Sequence, residues 1–175
     1  MAILPIIKAP SPILKKQSIV VDKIDQKTKK LMSDMVETMY HDEGVGLAAI
    51  QVGIALQIIV MDLRMDDDQQ RAENFYPLYL VNPVIKKYSQ EMTVAKEGCL
   101  SVPEIIVDVP RPEKITVEFL DFDGVSTNLE VDGWLARVIQ HEMDHLVGKT
   151  ILDYLSKLKK DIAISKLKKL NKQLV

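Results

Sequence analysis

The sequence predicts an α+β fold in which mainly antiparallel β-sheets surround a central helix, with an N-terminal helix and a C-terminal helix besides. Three segments, near residues 25–42, 132–147 and 155–174, repeat apolar residues at helical spacing. The segments between the first two are rich in β-forming residues, and one pair forms a hairpin, whose strands are antiparallel. The 175 residues, 47% of them hydrophobic, suffice for one domain over 1–175.

The first helix leads into a long uncharged stretch. Leu31, Met35 and Met39 lie four residues apart with charged residues between them, as in an amphipathic helix. Residues 44–61, GVGLAAIQVGIALQIIVM, contain no charge, and this is about the length at which a membrane span must be considered. Three glycines and two glutamines interrupt the stretch, so it divides into a glycine-rich turn and a β-strand over 55–63. We therefore predict no membrane span.

The middle of the chain is predicted to be β-rich. The polar loop at 64–74 is expected to be exposed, and short strands follow at 78–81 and 84–88. A hairpin then turns at the sequence DFDG, a recognised turn signal. Its strands alternate apolar residues, which are Ile115, Val117 and Phe119 on one strand and Val125, Leu129 and Val131 on the other.

Two helices follow the hairpin. Asp132 is a suitable N-cap for a helix ending near Val147, and Gly148 suits the left-handed conformation that closes many helices. The terminal helix, at about 155–174, is lysine-rich: residues 156–175 contain seven lysines and one aspartate, a net charge of +6. Its predicted apolar side consists of Leu155, Leu158, Ile162, Leu170 and Leu174.

Composition limits the partners and the compartment. A net charge of -2 and a pI near 5.9 argue against a protein that coats nucleic acid, and we predict recognition of no specific nucleic-acid sequence. A single cysteine, Cys99, cannot form an internal disulfide. The first residues, MAILPIIKAPSP, lack the pattern of a signal peptide. The expected location is therefore the cytoplasm.

The segment QHEMDHLVG, residues 140–148, contains the motif H-E-x-x-H inside the predicted central helix. His141 and His145 are four residues apart, so both imidazoles project from one helical face and can bind one metal ion. Glu142 points beside the metal, where it can reach a water molecule. The same face carries Trp134 and Val138 in the preceding turns, which predicts an apolar wall suited to a hydrophobic substrate side chain.

A catalytic metal site normally uses three protein ligands, so one ligand is missing from this motif. Asp153 and Asp161 are the only acids after His145, and both fit solvent-facing positions; His41 ends the distant first helix. Cys99 is the remaining candidate, because a metal binds cysteine as thiolate. The alternative for Cys99 is a small buried hydrophobe.

The segments GVGLAAIQVG, EGCLS and QHEMDHLVG together resemble the three signature motifs of the peptide deformylases, in the family's order. The resemblance spans nearly the whole chain. It implies a metal-dependent enzyme that removes the formyl group from the N-terminal formyl-methionine of new polypeptides and releases formate. The implied metal is most often Fe²⁺, with Zn²⁺, Ni²⁺ or Co²⁺ as alternatives, and an S/N/N ligand set suits both zinc and iron.

The resemblance also implies roles for individual residues. Glu142 is expected to act as general base and acid. Gln51 and the backbone N–H of Leu100 are expected to donate hydrogen bonds to the formyl oxygen, which leaves the Leu100 side chain free to vary. Val45 and Gly46 are expected to line the peptide site, and the implied metal ligands are Cys99, His141 and His145.

One position departs from many bacterial relatives, which have an arginine where this chain has Ile106. Arg137, on the metal-binding helix, either compensates for that arginine or lies at the rim of the side-chain pocket. The basic terminal helix is either a solubilising face or a ribosome contact. Two other functions fit the sequence less well: a zinc endopeptidase, which lacks a convincing third ligand, and a non-catalytic binding protein, which the intact motif residues argue against.

Overall fold

The computed structural model describes residues 2–63 and 75–173, and the predicted exposed loop at 64–74 lies outside the described residues. These residues contain three α-helices, which are α1 (Gln26–His41), α2 (Gly133–Leu146) and α3 (Lys157–Gln173). Short 3₁₀ helices cover Pro12–Lys15, Ala49–Val52 and Ile151–Tyr154. None of the described helices is both long enough and apolar enough to cross a membrane.

Within the described residues, seven strands form two antiparallel sheets. The strand bounds are β1 Gly46–Ala48, β2 Ile58–Met61, β3 Leu78–Tyr88, β4 Met92–Cys99, β5 Val102–Pro112, β6 Lys114–Leu120 and β7 Ser126–Asp132. The larger sheet has five strands in the order β1-β2-β3-β6-β7, and the smaller sheet is the hairpin β4-β5. The predicted hairpin at DFDG is confirmed as β6 and β7, with Val117 opposite Leu129, but Val125 precedes β7 and is 59% exposed.

The central helix α2 and the first helix α1 pack on different sets of sheet residues. Leu135 and Ile139 of α2 belong to one core cluster with Ile59, Ile115 and Val117. The methionines of α1 belong to a second cluster, which includes Ile58 and Val60. Along the strands, residues of this cluster alternate with residues of the first cluster. Because successive side chains of a strand point to opposite faces, the large sheet lies between the two helices.

Two strand predictions needed correction. The strand predicted at 55–63 is shorter: before β2 begins, the Ala55 carbonyl accepts a hydrogen bond from the Ile19 N–H, and the Gln57 N–H donates to the Ile19 carbonyl. The two strands predicted at 78–81 and 84–88 are one continuous strand, β3, with a register shift between Val81 and Val84. Asn82 adopts a φ of 51° at this bulge, which explains why Pro83 can occupy a strand interior.

The hairpin β4-β5 was missed by the sequence reading. It contains three prolines, Pro103, Pro110 and Pro112, and charged residues interrupt its alternation. A two-stranded sheet leaves one edge of each strand unpaired, where a proline costs no ladder hydrogen bond. The hairpin matters for the site because β4 ends at Cys99.

The position of α2 was predicted correctly, but one stabilising contact is absent. Asp132 occupies the N-cap position, yet its side chain makes no capping hydrogen bond. Gly148 follows the helix with a φ of 74°, as predicted for a left-handed closing residue.

The predicted apolar side of α3 was partly wrong. Leu158 is 71% exposed and Ile162 is 62% exposed, whereas Leu167 and Ala163 are buried in a third core cluster with β5. The side of α3 that packs on the hairpin therefore runs through Ala163 and Leu167 rather than through Leu158 and Ile162. Leu155 precedes the helix and packs against the same cluster, Leu170 is half-buried, and Leu174 lies outside the described residues.

A side chain at position 148 is expected to destabilise the folded protein. A Cβ there would lie 2.4 Å from the backbone oxygen of Lys15, and the positive φ adds strain. We expect Gly148→Ala to lower the free energy of unfolding by more than about 2 kcal/mol, measured by urea denaturation.

Gly124→Ala is the matched control for this substitution. Gly124 has a φ of 84°, but the nearest heavy atom to its added Cβ is 3.6 Å away. The control therefore measures backbone strain alone, about 1 kcal/mol. Equal losses for the two variants would contradict the predicted clash with Lys15.

Candidate metal centre and active site

A cavity of about 830 Å³ opens between β1, the β4-β5 hairpin and α2. Its walls bring together three segments that are far apart in the chain: GVG, EGCLS and the H-E-x-x-H helix. His145 lies next to this cavity, in contact with Cys99. The predicted site residues that line the cavity are Val45, Gly46, Gln51, Cys99, Leu100, His141 and Glu142.

Three side chains converge as a potential metal site. One ligand atom each from Cys99, His141 and His145 lie within 4.8 Å of one another. Cys99 Sγ is 3.3 Å from His145 Nε2, and the two imidazole rings lie one helical turn apart with centroids separated by 5.2 Å. One thiolate and two imidazoles form a donor set that suits a divalent transition metal with one position left open.

Glu142 is buried beside these donors. Its Oε1 lies 4.0 Å from His141 Nε2, and its Oε2 has no hydrogen-bond partner among the described residues. Burial raises the pKa of Glu142 to about 7. A Cβ at Gly46 would lie 2.6 Å from Glu142 Oε1, so the glycine leaves the space that this carboxylate occupies.

Gln51 lies in a 3₁₀ helix and is only 1% exposed. Its Oε1 accepts a hydrogen bond from the backbone N–H of Ala48 at 2.8 Å, which identifies the other end of the amide as the donor. That end, Nε2, lies 3.1 Å from Ser101 Oγ and 3.6 Å from Cys99 Sγ. The amide is therefore held with its N–H groups toward the Cys99 thiol.

Leu100 follows Cys99 in the turn between β4 and β5. The sequence left its side chain free to vary, but the structure packs it against the glycine-rich turn. A Cβ at Gly44 would lie 2.6 Å from Leu100 Cδ1. The Leu100 side chain therefore helps to fix the backbone that carries its N–H.

The other candidates for a third ligand are occupied elsewhere. Asp153 binds Lys15 at 2.6 Å and also contacts Lys160; burial opposes its ionisation, but these lysines hold its pKa well below the usual range. Asp161 is exposed on α3, and His41 pairs with Asp42 at the end of α1. Neither aspartate is therefore placed to act as the downstream acidic ligand that a zinc endopeptidase would need.

Glu97 has a larger role than the sequence indicated. Its buried carboxylate accepts hydrogen bonds from Arg111 at 2.7 and 2.9 Å and from Arg137 at 2.8 Å. It also lies 2.9 Å from His141 Nδ1. Burial opposes ionisation of Glu97, but the hydrogen bonds from His141 and Arg111 outweigh it and lower its pKa to about 2. Since an ionised carboxylate only accepts, His141 Nδ1 carries the proton and Nε2 is free for a metal.

Arg137 contacts both the buried Glu97 and the cavity. Its guanidinium is buried and bonds to Glu97, to the Val109 carbonyl and to Thr93, and the residue also lines the cavity. It thus supports the strand that ends at Cys99 from inside the protein. Ile106 is 62% exposed at the cavity, and its Cδ1 would lie 3.2 Å from a Cβ on Gly98.

The predicted apolar wall is present. Trp134 and Val138 of α2 line the cavity, and Val45 lines it from the GVG segment. Trp134 is 52% exposed although it is the largest apolar side chain of the helix. Such an exposed aromatic residue at a cavity provides contact area for a ligand.

Comparison with known proteins places the chain in a family. Residues 3–161 match the family model described as polypeptide deformylase. The chain is 49% identical to peptide deformylase 1 of Rickettsia conorii over 175 residues, which are 100% of both chains. The chain belongs to the polypeptide deformylase family. Deformylases are metal-dependent hydrolases, and this one removes the formyl group from the N-terminal formyl-methionine of new polypeptides and releases formate.

Solved deformylase structures share the fold. That of Ehrlichia chaffeensis in complex with actinonin has 44% identity and a TM-score of 0.90, covering 97% of this chain and 98% of that one. That of Legionella pneumophila has 38% identity and a TM-score of 0.88, covering 99% and 98%. The predicted α+β fold class is confirmed.

The residues that sequence reasoning missed are those that support the ligands. Arg111 joins Glu97 to Asp144, and Tyr154 also donates to Asp144, at 2.7 Å. A signal was present in the sequence for Arg137, which stands among apolar residues of the predicted central helix, but not for Glu97, which follows Lys96. Their partners could not be identified, because the β4-β5 hairpin that brings Arg111 opposite them was not predicted.

The contacts of Glu97 predict its contribution to metal binding. We expect Glu97→Gln to weaken metal affinity about ten- to a hundredfold, because the amide no longer fixes the His141 tautomer. Competition with a chromophoric chelator measures this affinity.

Glu130→Gln is the matched control, since Glu130 is exposed on β7. It should bind metal as the native protein does. Native affinity in Glu97→Gln would show that the Glu97 carboxylate does not orient the ligand.

Proposed function

We propose that deformylation takes place in the cavity, with Cys99, His141 and His145 as ligands of one divalent metal and Glu142 as general base and acid. The observation that supports this most directly is the convergence of one sulfur and two imidazole donors beside a buried carboxylate. When bound, such an ion acts as a Lewis acid that polarises the formyl oxygen and lowers the pKa of a coordinated water toward neutrality.

Glu142 performs the proton transfers in this mechanism. It takes a proton from the attacking water and returns it to the amine that leaves from the formyl group. Burial, which raises the pKa of this carboxyl to about 7, favours both directions, since a group that titrates near the working pH can accept and release a proton readily. The unpartnered Oε2 is the acceptor available for this task.

Gln51 and Leu100 stabilise the negative charge that develops on the formyl oxygen. Gln51 Nε2 lies close to the thiol, and the Leu100 N–H belongs to the residue after the thiol. Both donors are fixed before the substrate arrives, Gln51 by the Ala48 N–H and Leu100 by packing. Such preorganised donors contribute strongly because they do not reorient during the reaction.

The substrate is an N-formyl-methionyl peptide. Its methionine side chain contacts the wall of Trp134, Val138 and Val45, and its backbone runs past Gly46. β1 is the edge strand of the large sheet, and β4 pairs only with β5. Both strands therefore offer backbone groups to an extended peptide. Ile106 extends the apolar surface where many relatives carry a charge.

We propose Fe²⁺ as the native metal, with Zn²⁺, Ni²⁺ or Co²⁺ able to replace it, because the S/N/N donors suit iron as well as zinc. Protein purified without oxygen should contain iron and lose activity in air. Full activity after air exposure, with zinc as the bound metal, would argue against iron.

We further propose that residues 1–175 act as one catalytic domain in the cytoplasm. The three core clusters share elements and neighbours: the 3₁₀ residue Ile13 packs against two of them, and Glu97 joins the small sheet to α2. The substrate, a newly made chain, is available in the cytoplasm.

Formate release from a formyl-methionyl peptide tests the mechanism. We expect Glu142→Ala to retain metal, since Glu142 is not a ligand, and to lose at least about a hundredfold in kcat. Full activity of Glu142→Ala would contradict the role of Glu142 as general base and acid. Cys99→Ala provides the contrast, because it should lose metal and activity together; metal content equal to that of the native protein would return Cys99 to a packing role.

We propose that α3 contacts the ribosome. The helix carries exposed lysines, and Leu158 and Ile162 are exposed among them. Replacing Lys159, Lys168 and Lys169 with glutamate should abolish co-sedimentation with ribosomes at low salt, and added salt should weaken the native contact sharply. The same change at Lys16, Lys23 and Lys87 is the control. Equal sedimentation of both variants would identify α3 as a solubilising surface only.

A further inference from the structure

The N-terminal segment, residues 7–9, lies behind the active-site turn and bonds to two parts of it. The Ile7 N–H donates to the Gln51 carbonyl at 2.8 Å. The Ala9 N–H donates to the Ser101 carbonyl, also at 2.8 Å. The segment thus connects the two stretches of chain that carry the proposed oxyanion donors.

Lys8 lies between these two backbone anchors. Its ammonium donates to the Leu100 carbonyl at 2.7 Å, in a partly buried contact. Within the described part of the chain, no carboxylate forms an ion pair with this ammonium. A lysine ammonium that donates to a backbone carbonyl at this distance makes a short charge-assisted hydrogen bond.

This contact restrains Leu100 from its carbonyl side. The preceding residue, Cys99, is a proposed metal ligand, and the Leu100 side chain packs on Gly44. The following residue, Ser101, is buried and bonds to Gln51 Nε2. With its carbonyl, its side chain and both neighbours held, the backbone of Leu100 is restrained, and so is the direction of its N–H.

We propose that Lys8 is a positioning residue for deformylation: it holds the Leu100 peptide so that its N–H points at the formyl oxygen. This role rests on the proposed function, in which that N–H stabilises the oxyanion. This positioning acts on the transition state more than on the bound peptide, so it changes kcat rather than KM.

Lys8→Met tests the proposal, because methionine keeps the apolar stem and removes the donor and the charge. We expect kcat to fall about tenfold, less than for complete loss of an oxyanion donor, with KM within about twofold of the native value. Lys8→Arg should recover most of the lost kcat, and Lys8→Gln should lie between. Lys16→Met is the matched control, since Lys16 is exposed in the same N-terminal region, and it should be unaffected.

Two further measurements separate positioning from a structural role. Metal content and the urea midpoint of Lys8→Met should match those of the native protein, and the amide resonance of Leu100 in an NMR spectrum should shift. An unchanged kcat, or a loss explained fully by lost metal or lower stability, would overturn the proposal. A shifted Leu100 resonance with native kcat would show that Lys8 positions this N–H but that the N–H does not stabilise the oxyanion. Full activity of Glu142→Ala would instead contradict the reaction mechanism itself.

Discussion

The site depends on the hydrogen bonds and ion pairs that the buried Glu97 carboxylate makes. It lies on β4, two residues before Cys99, and it binds His141 and Arg137 on α2 and Arg111 on β5. A buried charge without partners would be very costly, so the hairpin and the helix must meet with these groups aligned. That alignment brings the thiol to the two histidines. The charge cluster and the metal donors therefore determine one another's positions.

A second constraint is the close approach of backbone to catalytic groups. Gly46 leaves room for the Glu142 carboxylate, and Gly44 leaves room for Leu100. The GVG segment thus contacts both the proposed proton-transfer group and the residue after the thiol. Its two glycines are explained by the space that their neighbours occupy, in addition to the turn that they form.

The ends of the chain support the centre. The segment 7–9 bonds to the Gln51 and Ser101 backbones, and Asn171 of α3 donates to the Ala9 carbonyl at 3.0 Å. Tyr154, just before α3, bonds to Asp144 on α2. Residues outside the three motifs thus hold the turn after Cys99 and helix α2, which explains why the motifs alone do not account for the geometry.

The sequence by itself determined the α+β class, the extent of α1 and α2, and the identity of the chemical groups. Helical spacing places His141 and His145 on one face, and this local geometry needs no tertiary information. The sequence could not determine what Glu97, Arg137 and Lys8 contact, because their partners lie 14 or more residues away and depend on a hairpin with weak alternation. It also could not determine the buried side of α3, where Leu158 is exposed and Ala163 is buried. Those outcomes depend on which surfaces meet, and only the tertiary structure decides that.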